Sequence, residues 1–148
     1  MFEFLKKKKV NKEGSNGVSS LAKGDIILKS YQEKAQEEIQ YLIDFICRNG
    51  DGSEEFGDHV FRYVIKTGFE EDGEVEHMWV QVDDFKDGYF IGRLANEPGT
   101  IKSIKYADPV SVFRDDVEDW ILDDFLTGTK VGGFSQNYLK NSEKSDES

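Results

Sequence analysis

The chain is poor in the groups that usually announce chemistry: 148 residues contain one cysteine, two histidines, two prolines and no long apolar run. A single cysteine, Cys47, makes an internal disulfide impossible, which fits a reducing compartment. No segment approaches the roughly 18–20 apolar residues that a membrane helix needs, so stable membrane insertion is not expected. The opening MFEFLKKKKV sets its few apolar residues ahead of the lysines, the reverse of a secretory signal, and cytoplasmic localisation is the expectation. Two histidines and one cysteine at unpaired spacing do not compose a zinc site, and the acidic run 115–119 lacks the ligand alternation and central glycine of a calcium loop. No metal and no cofactor are expected. There is no Gly-x-Ser-x-Gly nucleophile elbow, and Gly132-Gly133 after a Thr-Gly-Thr turn is not a phosphate-cradling loop that opens a helix. At the end of an apolar helical stripe, Cys47 reads as a buried small hydrophobe rather than a nucleophile.

What is abundant is acid. Thirty Asp and Glu face nineteen Lys and Arg, for a net charge of −11. The first 23 residues carry +4, which leaves −15 on the remainder. A field of that sign repels phosphate backbones, so nucleic acid is not an expected partner, whereas a basic or polar protein is attracted. The length suits one domain with a core of useful size. A basic tail and linker is expected over residues 1–18, a single folded domain over 19–139, and a disordered acidic tail over 140–148.

Within that domain one amphipathic helix is the clearest element. Tyr31, Ala35, Ile39, Leu42, Ile43 and Ile46 recur at three- and four-residue spacing, with Glu33, Lys34, Glu37, Glu38 and Asp44 on the other side. Ser30 and Glu33 match a capping box, and Asn49-Gly50 supplies a stop. Segments 59–67, 75–82 and 89–95 are rich in β-branched and aromatic residues between Gly- and Asp-bearing turns, with shorter strand candidates at 103–106, 110–113 and 130–135. The expected fold is α+β: the N-terminal helix packs on a curled, mainly antiparallel sheet of about five or six strands. In the second strand Met78, Val80 and Val82 share one face, and Val75, His77, Trp79 and Gln81 share the other. Both faces are partly apolar, so a covering layer from curling or from the C-terminal segment is expected.

The ordered succession EHMWV at 76–80, FIGRLANEP at 90–98, VEDW at 117–120 and KVGGF at 130–134 resembles the bacterial YegJ-like family, domain of unknown function 2314, over about residues 59–134. The matching positions are Glu76, His77, Trp79, Asn96, Glu97, Pro98, Asp119, Trp120, Gly132 and Gly133. The resemblance implies a small bacterial α+β domain with no established activity, some members being exported and others embedded in larger proteins. This chain departs from the pattern at Ala107-Asp108-Pro109, where such proteins usually carry Gly-Asp, and in the loop enlarged by residues 123–126.

Candidate chemistry centres on His77, since an imidazole beside a carboxylate would act as a general base or a pH switch; Glu97 and Asp119 are the expected partners. Glu76, Trp79, Asn96 and Trp120 are candidate ligand contacts, the indoles offering broad amphipathic surfaces with one N–H each. Each also has an architectural reading: His77 in a cross-strand hydrogen bond, 96–99 as turn chemistry, Trp120 in the core. Two functions stay open. One is a non-enzymatic protein-interaction module of immunity type that uses an acidic surface flanked by aromatics. The alternative is a small enzyme or ligand binder with a pocket around His77, Glu97, Asp119 and both tryptophans.

Overall fold

In the computed structural model, residues 23–53 and 60–136 are described, and the tails expected at 1–18 and 140–148 lie outside them. Helix α1 spans Lys23–Asn49. It starts earlier than the Ser30–Glu33 pair suggests, because the Ser30 hydroxyl donates to the Ile26 carbonyl one turn back at 3.1 Å and is satisfied without ending the helix. The stop falls where the sequence places it: Gly50 adopts φ 64° and donates to the Ile46 carbonyl. Cys47 is exposed on this helix rather than buried, since it points away from the Ile43 and Ile46 stripe.

Six strands follow: β1 Phe61–Glu71, β2 Glu74–Lys86, β3 Tyr89–Leu94, β4 Pro109–Phe113, β5 Asp119–Asp124 and β6 Thr129–Gly132. They form one antiparallel sheet in the order β4-β3-β2-β1-β5-β6 that does not close on itself. The turns Asp72-Gly73 and Asp87-Gly88 hold positive φ at both residues, the geometry that a tight two-residue hairpin favours. Residues 114–118 then carry the chain, through a 3-10 turn at Arg114–Asp116, past the edge of β1 into β5.

Two segments differ from the sequence reading. Residues 103–106 are loop, whose Ile104 is buried in the core with Ile101. The acid-flanked DWILDD, not among the strand candidates, forms strand β5 beside the central strand, with Ile65 facing Trp120 and Tyr63 facing Leu122. Pairing to β1 outweighs the weak strand preference of its aspartates.

One sheet face carries the core. Ala35, Ile39, Leu42, Ile43 and Ile46 of α1 pack over Tyr63, Ile65, Met78, Val80, Val82, Phe90, Trp120 and Leu122. Burial of each such side chain stabilises by roughly 1.5–3 kcal/mol. The Trp120 indole donates to the Ala35 carbonyl at 3.1 Å, which ties the helix to β5 and makes this tryptophan core rather than ligand surface.

Two residues are held against their chemistry. The buried Tyr63 hydroxyl has no hydrogen-bond partner, and burial, with Asp51 nearby, pushes its pKa up to about 12. Ala107 sits at φ 73°, left-handed backbone that disfavours a Cβ, at the position where the resembling family carries glycine. Tyr63→Phe is expected to raise the free energy of unfolding by about 1 kcal/mol in denaturant titration, because it removes an unpaired buried donor. Ala107→Gly is expected to add about 0.5–1 kcal/mol in the same experiment, as relief of the left-handed strain exceeds the entropy that glycine adds to the unfolded chain.

Candidate functional site

The face of the sheet opposite α1 is covered at β5, where Asp119, Ile121 and Asp123 are buried, and stays partly open over β1 and β2. It carries Arg62, Val64, Lys66 and Gly68 of β1, then His77, Trp79 and Gln81 of β2, with Arg93 beyond. Register sets neighbours here: Lys66 faces Trp79, and Gly68 faces His77. The chain entering β5 adds Glu118, whose N–H donates to the Lys66 carbonyl at 2.8 Å. From there the Glu118 carboxylate lies over Gly68 and meets His77 Nδ1 at 2.8 Å. A Cβ at Gly68 would stand 3.2 Å from Glu118 Oε2 and 3.4 Å from His77 Nδ1, so the glycine makes the room for this pair.

The carboxylate partner of His77 is therefore Glu118, and neither Glu97 nor Asp119 takes that place. With side-chain exposures of 39% for His77 and 8% for Glu118, a nearly buried carboxylate orients an accessible imidazole. Nδ1 is engaged, and Nε2 meets no hydrogen-bond partner among the described residues.

Beside this dyad Lys66 lies between two rings. Its Nζ is 5.5 Å from the Tyr31 centroid and 5.9 Å from that of Trp79, both within cation–π range. No carboxylate lies within 4 Å of this ammonium among the described residues. Burial pushes the Tyr31 hydroxyl up to about 12, with Glu118 and Asp119 adding to the shift, so the surroundings of the box are electronegative.

Of the other sequence candidates, Asp119, Asn96 and Glu76 have architectural duties. Asp119 is fully buried; its carboxylate accepts from the N–H groups of Trp120, Phe134 and Ser135 and from the Ser135 hydroxyl. Asn96 Oδ1 accepts the Trp79 N–H where β3 has departed, so a side chain continues the ladder. Glu97 stands exposed on the loop after β3. Glu76 accepts three successive amides, from Gly99, Thr100 and Ile101, at 2.7, 2.8 and 3.0 Å. Glu71 accepts the next two, from Lys102 and Ser103. Five consecutive N–H groups are thus held by two carboxylates, which fastens the 95–108 loop over the end of the core. A pocket shared by His77, Glu97, Asp119 and both tryptophans is not formed, because Trp120 lies under α1 and the two acids point elsewhere. Glu118, Lys66 and Tyr31 were outside the sequence candidates; the signal for them lies in strand register, which the sequence does not print. A cavity of about 270 Å3 between Gln81, Arg93, Leu94, Ala95, Tyr106 and Ala107 opens nearby.

A third region is the solvent face of α1. Tyr41 is 50% exposed there, stacked at its inner edge on Trp120 with centroids 6.4 Å apart. Glu37, Glu38 and Asp44, at helical neighbour spacing from Tyr41, are exposed around it, and Lys34 and Arg48 lie one turn further on either side. Among the described residues no three His, Cys, Asp or Glu side chains are grouped to hold a metal ion, and no helix is long and apolar enough to cross a membrane.

Comparison with known proteins agrees with the motif resemblance and extends it. The family model described as an uncharacterized protein conserved in bacteria, DUF2314, matches residues 25–148 and so takes in helix α1. The uncharacterized protein YegJ of Escherichia coli K12 is 27% identical over 74 residues, 49% of this chain and 46% of that protein. A putative ankyrin repeat protein of Neisseria meningitidis serogroup B is 38% identical over 77 residues, 49% of this chain and 29% of that protein. The chain thus spans less than half the length of these curated relatives. No solved structure matches.

The three amides on Glu76 hold its carboxyl below the usual value of 4.5, against a small opposing effect of burial. A depressed pKa in the folded state means that the contribution is complete above the unfolded value and is lost as pH falls through the folded one. Thermal unfolding of the native chain followed from pH 6 to pH 3 is expected to show a steeper loss of Tm below about pH 4.5 than that of Glu76→Gln, whose amide does not titrate.

Proposed function

Because the chain belongs to the DUF2314 family of uncharacterized bacterial proteins, which supplies no reaction to look for, we propose from its surfaces that it is a non-enzymatic protein-interaction module whose partner is basic. The observation that carries the reading is the half-exposed Tyr41 ring among the carboxylates of Glu37, Glu38 and Asp44. Tyrosine is an anchor residue of interfaces, with a large rigid contact area and a polar tip. Carboxylates around such an anchor steer a cationic partner and reject an anionic one, and the −11 of the whole chain acts in the same sense.

Support comes also from the relative named a putative ankyrin repeat protein, since stacked repeats of that kind present extended binding surfaces. Among the described residues no Ser, Thr or Cys is paired with the His77–Glu118 dyad, which favours binding over turnover. An immunity-type pairing, in which the basic partner is a toxin, is one form of this reading. The encounter is placed in the cytoplasm, where an exposed thiol such as Cys47 stays reduced.

The test is capture from native cytosol with the intact chain and with the triple variant E37K/E38K/Y41A, both confirmed folded. A basic protein retained by the native chain at about 0.15 M salt is expected to be lost at least ten-fold with the variant, since an anchor of this type contributes more than about 1 kcal/mol and the reversed charges repel. Equal retention by both chains overturns the reading.

A further inference from the structure

The open sheet face holds a cation that the chain supplies to itself. Lys66 projects from β1 with its ammonium between the rings of Tyr31 and Trp79, one from α1 and one from β2. A surface lysine ordinarily ends in water or on a carboxylate. Here the ammonium is held by ring faces, while Glu118 is tied to His77 and Asp119 to the amides of 134 and 135. Two aromatic faces with carboxylates close behind them form the arrangement that recognises ammonium groups, because ring quadrupoles attract a cation that has shed part of its water.

We infer that Tyr31 and Trp79 form a receptor box for a lysine side chain of the partner, and that Lys66 is a placeholder which the incoming lysine displaces. The inference rests on the reading of a basic partner and assigns that partner a definite contact. The occupant is identified by what the box already contains: a primary ammonium on a flexible four-carbon stem. Displacement is feasible because Lys66 has no ion pair to break among the described residues and its half-buried stem can swing its head into water. Trp79 is itself only half-buried, so an approaching side chain reaches the ring without rearrangement of the core.

His77 and Glu118 form the neighbouring wall. Their hydrogen bond engages the carboxylate, so the wall brings an acid beside the box without leaving it unpartnered. Gly68 makes the room for this wall, since any side chain there would crowd both groups.

The experiment is a titration of Lys66→Met, which keeps the stem and removes the charge, with N-acetyl-lysine methylamide, followed by the indole N–H resonance of Trp79. Trp120, buried and bonded to the Ala35 carbonyl, is the internal control. The Trp79 resonance in Lys66→Met is expected to move saturably while that of Trp120 stays still. The native chain should require at least ten-fold more probe. Adding Tyr31→Ala should abolish the response, and the uncharged analogue N-acetyl-norleucine methylamide should give none. No saturable shift in folded Lys66→Met, or an equal response to the uncharged analogue, overturns the inference. Lys66→Gln serves as a second variant; if neither is folded, Lys66 is structural and the placeholder role is likewise overturned. Since the titration needs no partner protein, its failure leaves the Tyr41 surface standing, and failure of the cytosolic capture leaves a positive titration standing.

Discussion

Among the described residues one long helix covers one face of a six-stranded sheet, and the rest of the molecule adjusts to that constraint. Alternation along β2 sends Met78, Val80 and Val82 under α1 and leaves His77, Trp79 and Gln81 on the open side. An open face of half-apolar residues is unstable to association unless something shields it. Here the shield is made of long polar side chains. Lys66 covers Trp79, Arg62 reaches over Phe125 while bonded to Asp123, and Arg93 approaches Asp83. The stems bury apolar area and the heads stay wet. Such a cover is removable, which a packed second layer is not.

Acid is used in this chain as backbone chemistry. Glu76 and Glu71 take five consecutive amides, Asp119 takes three, and Asp124 takes those of Leu126 and Thr127 in the β5–β6 turn. Each stands where a ladder or a helix start would otherwise leave N–H groups without acceptors. Charged acceptors make stronger bonds than carbonyls, so irregular segments such as 95–108 are fastened without regular structure. Part of the −11 therefore belongs to architecture, whereas exposed acids such as Glu37 and Glu38 on the solvent face of α1 contribute to steering.

This division explains what the sequence shows and what it hides. The helix stripe, the Asn49-Gly50 stop, the hairpins and the α+β class follow from local periodicity and turn residues, which the tertiary fold leaves intact. Strand β5 is hidden because its aspartates speak against a strand until β1 and β6 are in place on either side. The motif residues are visible, but their roles are not. Asn96, Asp119 and Glu76 look like ligands because polar residues that serve backbone amides look the same in sequence as those that serve a substrate. His77 stands out as a rare residue, whereas its partner Glu118 is one acid among thirty. Only the crossing of residues 114–118 past β1 selects it.

The two surfaces with functional content share one chemistry. Around Tyr41 an exposed ring is surrounded by carboxylates; at Tyr31 and Trp79 two rings hold an ammonium in front of them. Both suit cations, yet they differ in readiness, since the first is open and the second is occupied. The first therefore acts at long range and governs the rate of encounter. The second acts only on contact, because its gain is the difference between a partner's cation and Lys66 in the same place. A difference of that kind is small for a generic lysine and large only when the partner's backbone holds its cation in position, so an occupied box contributes selectivity where an empty one would contribute indiscriminate affinity.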